Sequence, residues 1–147
     1  MFDAILAAIV ATATPAPSHL PVVVIHAPQA NLRLEVAKND PEREHGLMDR
    51  TSLQAHTGML FVFDNDGPVT FWMKDTLIPL DMVFVASDGT IRSIDPAVPP
   101  AIPKAADASI PLEPGRAKYV IELPTGEAYV DGLKPGLRLT IPDLSHI

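Results

Sequence analysis

Apolar and polar positions alternate with a period of two along much of this chain. From Asn31 to Ala37, Leu32, Leu34 and Val36 face one way and Arg33 and Glu35 the other, which predicts a strand with one wet face. Val22 to His26 is a continuous run, almost all β-branched, and suits a strand too. The period then breaks at Asn39-Asp40-Pro41-Glu42. Asn39 or Asp40 can cap a helix, Pro41 is tolerated in its first turn, and Glu42 favours the positive helix end. That helix is short and is expected to stop near Gly46 to Met48. Met59 to Phe63 and Val69 to Met73 predict two strands, and Asp64-Asn65-Asp66-Gly67-Pro68 predicts a hairpin turn between them. Leu80 to Ala86 and Thr90 to Ile94 predict two more, joined at Ser87-Asp88-Gly89. Six prolines between Asp95 and Pro114 predict an irregular loop. Ala117, Tyr119, Ile121 and Leu123 then alternate against Arg116, Lys118 and Glu122, placing Glu122 on a wet face. Glu127 to Leu133 fits one or two helical turns, and Leu137 to Ile141 a last strand.

These elements amount to about eight short strands and one or two short helices. Long helices do not alternate with the strands, so a parallel α/β sheet is a poor fit. The expected fold is mainly β: a compact antiparallel β-sandwich, jelly-roll-like, or a distorted barrel. A chain of 147 residues is enough for one domain of ordinary size. That domain is expected over 21–147, with a signal-peptide-like segment and flexible start over 1–20.

Composition narrows the function. Hydrophobic residues make up 47%, enough for a real core. The net charge of −7 opposes binding to DNA or RNA, and the basic residues form no block that would hold anionic lipid. Cysteine is absent, so disulfides, thiolate nucleophiles and cysteine-based zinc sites are excluded. Met1 to Val10 is an apolar run too short to span a bilayer, and Ala11-Thr12-Ala13 follows it. An apolar stretch before Ala-x-Ala has the form of a secretory signal. Asp3 and the lack of Lys or Arg before it depart from that form, and a short amphipathic helix is the competing reading. Export to the periplasm is the expectation, with no membrane-spanning segment in the mature chain.

Ordered motifs occupy the middle of the chain. They are ERxxGLMxR from Glu42 to Arg50, GMLFVF from Gly58, FWMKDT from Phe71, PLDMVF from Pro79 and YVIELPTG from Tyr119. From about Leu32 to Ile141 the set resembles the bacterial and archaeal family called domain of unknown function 192. The resemblance implies a compact β-sandwich or jelly-roll-like domain, often exported, and it implies no reaction. Two departures from the family pattern stand out. Asp75 occupies a position where members typically have Asn, and the loop after Pro99-Pro100 lacks the Cys-Pro pair that many of them carry.

Candidate chemistry gathers around the FWMKDT segment. Val69, Phe71 and Met73 share one face, so Trp72 and Lys74 project from the other. An aromatic beside a cation suits an anionic or sugar-like ligand, and it equally suits a second small core closed by an ion pair. Asp75 and Asp81 flank one loop and could form an acid/base pair, although acids beside a lysine more often form a structural network. Arg43 and Arg50 could clamp an anion or pin the loop through Asp49, Asp64 or Asp81. Met48, Met59, Met73 and Met82 offer soft sulfur ligands for Cu(I), with core packing as the plainer reading. His45 and His56 bracket the GLM segment, and surface or hydrogen-bonded roles account for them. No serine-nucleophile or phosphate-loop motif is present, and no cofactor is expected.

The leading expectation is a non-catalytic exported binding or accessory domain for a small molecule or an envelope protein. Its site would hold Trp72, Lys74, Asp75 and Asp81, with Arg43 and Arg50 nearby. A hydrolase of envelope polymers using Asp75 and Asp81 is one alternative. A periplasmic Cu(I)-binding protein using methionines is another.

Overall fold

The computed structural model describes residues 19–147. The signal-like segment expected over 1–20 lies almost wholly outside them. Six strands form one sheet: β1 (Val22–His26), β2 (Asn31–Ala37), β3 (Thr57–Trp72), β4 (Leu80–Val85), β5 (Ile91–Val98) and β6 (Leu112–Pro124). Two short α-helices accompany them, α1 (Asp40–His45) and α2 (Glu127–Val130). The sheet order is β1-β2-β3-β6-β4-β5. No helix among the described residues is long and apolar enough to cross a membrane.

The mainly β expectation holds, with three corrections. The sheet is open and mixed rather than wholly antiparallel, because β2 and β3 run parallel. The crossover through α1 and its following loop makes that direction possible. Secondly, Met59 to Met73 is not a hairpin. Both halves belong to β3 and pair with β6, with the register slipping between Val62 and Gly67. The Asp64 to Asp66 excursion is a bulge, held by Lys118 Nζ donating to the Asp64 carbonyl at 2.9 Å. Asp66 in turn accepts from Arg92 and from the Ser87 amide, and these hold its carboxyl well below the usual range. Thirdly, Leu137 to Ile141 adds no strand. It makes one isolated bridge, Thr90 to Arg138. A Cβ on Gly89 would lie 2.0 Å from the Leu139 carbonyl oxygen, so this close passage needs glycine.

Both faces of the central strands are covered. One layer contains Ile25, Leu32, Leu34, Val36, Val83 and Ile121 and lies under α2 and the C-terminal segment. The other contains Phe61, Phe71, Met73, Met82 and Phe84 and lies under Leu47 from the loop after α1. As a result every residue of β4 is buried, Asp81 included. The cap of α1 is as expected: the Asn39 side chain accepts from the Glu42 amide at 2.9 Å. Glu42 reciprocates by accepting from the Lys38 amide at 2.8 Å.

Candidate functional site

A cleft of about 210 Å³ opens between α1, the end of β3 and β6. Each wall follows from local sequence. The loop after α1 turns at Gly46 with φ +47°, where a Cβ would meet the Phe61 ring at 3.2 Å. Glycine thus lets the GLM segment lie directly on the aromatic layer. Phe61, Phe63 and Phe71 form that layer, with edge-to-face pairs at 5.1 Å and 6.0 Å. Trp72 and Lys74 follow on β3 and its exit. The Asp49 amide donates to the Asp75 carbonyl at 2.8 Å, tying the GLM loop to the turn after β3.

At the cleft lies a residue that strand alternation places on a wet face. Glu122 is 5% exposed. Its ladder partners are Met59 on β3 and Met82 on β4, both fully buried in the phenylalanine layer. Glu122 has no hydrogen-bond or ion-pair partner among the described residues, and burial pushes its carboxyl up to about 8. Gly58 holds this point of the ladder together, because a Cβ there would lie 1.9 Å from the Glu122 carbonyl oxygen. The opening glycine of GMLFVF therefore bears directly on the backbone of this acid.

Three of the expected site residues meet at the cleft: Arg43, Trp72 and Lys74. The Lys74 ammonium lies 5.0 Å from the Trp72 ring centre and pairs with Asp107 at 3.1 Å. Arg43 donates to the carbonyls of Lys38 and Val62 at 2.8 and 2.7 Å and to Asp40 at 2.6 Å. Its guanidinium is thereby committed to pinning α1 onto β3.

Asp75, Asp81 and Arg50 do not line the cleft. Asp75 is exposed in the turn. Asp81 lies on the opposite face of the sheet, where it accepts from the amides of Ala97 at 2.9 Å and Ala128 at 3.0 Å. It anchors β5 and the start of α2, whose own cap position is a glycine, and the two aspartates make no acid pair. Arg50 pairs with Glu35 at 2.6 Å. Of the four methionines, Met48 lines the cleft and Met59, Met73 and Met82 pack in the core layer. His45 lines the cleft, whereas His56 bonds to Asp131 at 2.7 Å in a different part of the fold. A second cavity of about 410 Å³ lies beneath the proline-rich loop. Its lining is apolar apart from Ser109 and Glu113, so it offers little to orient a ligand.

With this geometry in view, comparison with known proteins places the chain. The family model of domain of unknown function 192, described as "Uncharacterized ACR", matches residues 22–141. The chain belongs to this family. It is similar to a solved structure from Sinorhizobium meliloti described as a "putative transcription regulator", at 38% identity and a TM-score of 0.67. That match covers 80% of this chain and 89% of the other. It is also similar to a protein of unknown function from Novosphingobium aromaticivorans, at 29% identity and a TM-score of 0.71. Here the coverage is 88% of this chain and 94% of the other. None of the curated proteins matches the chain.

Proposed function

We propose that this member of the family is an exported binding domain for a small organic molecule, held in the cleft between α1 and β6. The observation that carries the reading is Glu122, a buried carboxyl with no partner of its own at an aromatic-walled opening. A carboxyl that meets water only through the cleft is poorly hydrated, and a ligand that donates a hydrogen bond to it makes up that loss. Lys74 and Arg43 already have partners, so Glu122 is the group that selects. The matching ligand presents an amine or hydroxyl to Glu122 and a flat or apolar body to Phe63 and Trp72.

The description of the Sinorhizobium protein as a regulator finds little support in this chain. Its net charge is −7, and the longer of the two described α-helices has six residues. Neither suits insertion into a DNA groove.

A thermal-shift screen of small amines, polyols and amino acids tests the site. A ligand at a hundred times its Kd adds about 2.7 kcal/mol to wild type. Trp72→Ala and Glu122→Leu are expected to lose that gain, and Lys74→Met to reduce it. A ligand held equally well by all three variants would rule out the cleft. The carboxyl near neutrality also supports a second reading, general acid/base chemistry on the bound molecule. In that case Glu122→Gln retains binding and loses turnover.

Export rests on the apolar run and Ala-x-Ala pattern of residues 1–13. A C-terminally tagged chain expressed in a bacterial host is expected outside the cytoplasm with its N-terminus at or near Thr14. Recovery of a full-length cytoplasmic product would refute export.

A further inference from the structure

On the far side of the sheet from the cleft, α2 packs against the first core layer through Ala128. Glu127 and Asp131 stand four residues apart along it and so share a helix face. The loop before β3 brings His56 to the same place, across 75 residues of sequence. Nδ1 of His56 lies 2.7 Å from Asp131 Oδ1 and 3.4 Å from Glu127 Oε2. One donor atom from each of the three residues falls within 4.8 Å of the others.

The backbone around this cluster is fixed. The Arg33 amide donates to the His56 carbonyl at 2.9 Å, and the Gln29 amide donates to the Asp131 carbonyl at 3.1 Å. Asp81 holds the Ala128 amide. His56 itself sits at φ +60°, a left-handed conformation uncommon for a residue other than glycine, asparagine or aspartate.

The cluster is short of positive charge. The Asp131 side chain is fully buried, and its Oδ2 has no hydrogen-bond partner. Oε2 of Glu127 is likewise buried and without a hydrogen bond. No lysine or arginine pairs with either acid among the described residues. The half-exposed imidazole faces one fully buried carboxyl, Asp131, and one partly buried, Glu127.

We propose that His56, Glu127 and Asp131 form a binding site for a first-row divalent transition cation such as Zn²⁺. One imidazole and two carboxylates make a borderline donor set, suited to zinc and its neighbours in the series. Calcium takes six to eight oxygen ligands, far more than this cluster supplies. Three protein ligands leave a position for water, and His56 at 45% exposed provides the open side. Bonds of about 2.0 Å require ligand atoms roughly 3.3 Å apart, so the short His56–Asp131 contact opens slightly when the cation displaces its proton.

The test uses tag-free full-length mature protein stripped with chelator. Zn²⁺ is titrated calorimetrically, and Co²⁺ is followed by its visible absorption. Wild type is expected to bind one equivalent of each, to melt at a higher temperature with Zn²⁺, and to develop a Co²⁺ band with nitrogen ligation. His56→Asn suits the positive φ and removes the imidazole, so it should fold normally. It and Glu127→Gln are each expected to weaken binding at least tenfold. His45→Asn is expected to bind as wild type does. Absence of Zn²⁺ and Co²⁺ binding at millimolar metal overturns the proposal, as does binding undiminished in His56→Asn.

Discussion

Replacing Glu122 with Gln is expected to leave stability near wild type at about pH 5 and to raise it by several kcal/mol above about pH 8. Burial lifts the Glu122 pKa from an ordinary 4.5 to about 8, so the folded chain holds this proton more tightly than the unfolded one. The stability linked to that proton is fully present below about 4.5. It is lost as pH rises through the interval and is gone above about 8. Each pKa unit corresponds to about 1.4 kcal/mol, which makes the whole loss on the order of 5 kcal/mol in the absence of a ligand. Glutamine is nearly isosteric and never ionises, so it removes this loss. Glu127, whose pKa is also raised, acts with the same sign in both proteins and cancels in the difference. Urea unfolding at the two pH values measures the effect. Parallel pH profiles for wild type and variant would show that Glu122 ionises freely and that the cleft is wetter than described.

The second large effect is expected from Phe84→Ala. The Phe84 ring is fully buried and lies 6.3 Å, edge to face, from Phe71. It also lies across Gly115 of β6, where a Cβ would meet the ring at 2.2 Å. Sheet backbone on that side and the phenylalanine layer on the other keep the space from collapsing after truncation. The cost is therefore on the order of 3–5 kcal/mol, a large part of the 5–15 kcal/mol that stabilises a typical domain. A lower urea midpoint with an unchanged slope is the expected signature. A loss under about 1 kcal/mol would mean that the layer repacks around the gap.

Local signals in the chain were read where the physics is local. The Asn39–Glu42 cap, the alternation of β2 and the shared face of Val69, Phe71 and Met73 all depend on near neighbours. The same local reading misjudged Asp64 to Pro68, because bulges and hairpin turns use the same residues. What separates them here is pairing with β6, far along the chain. Glu122 was placed on a wet face for a related reason. Period two assigns polar residues to water only when one face is wet, and β6 lies between β3 and β4 with both faces covered. The apolar neighbours Val120, Ile121 and Leu123 were the available signal, since an acid in such a run is dry on either face. Trp72 and Lys74 come together at the cleft because they stand two residues apart at the end of β3 and its exit. Alternation in β4 gives Asp81 the face of Val83 and Val85, but its partners, the amides of Ala97 and Ala128, come from distant segments that only topology brings there.

The pairing of β3 with β6 bears on how the chain reaches its fold. These strands are neighbours in the sheet, yet all of β4, β5 and the proline-rich loop separate them in sequence. The β1–β2 and β4–β5 pairs can close over short turns, whereas the central ladder must first overcome the entropy of a long loop. Topologies dominated by such distant pairing fold in milliseconds to seconds rather than microseconds. During synthesis the full ladder cannot close until the ribosome has released the chain through Pro124. Until then the edge of β3 that will meet β6 has no partner, so the nascent chain carries a long open strand edge, the kind of surface on which unfinished chains pair with one another.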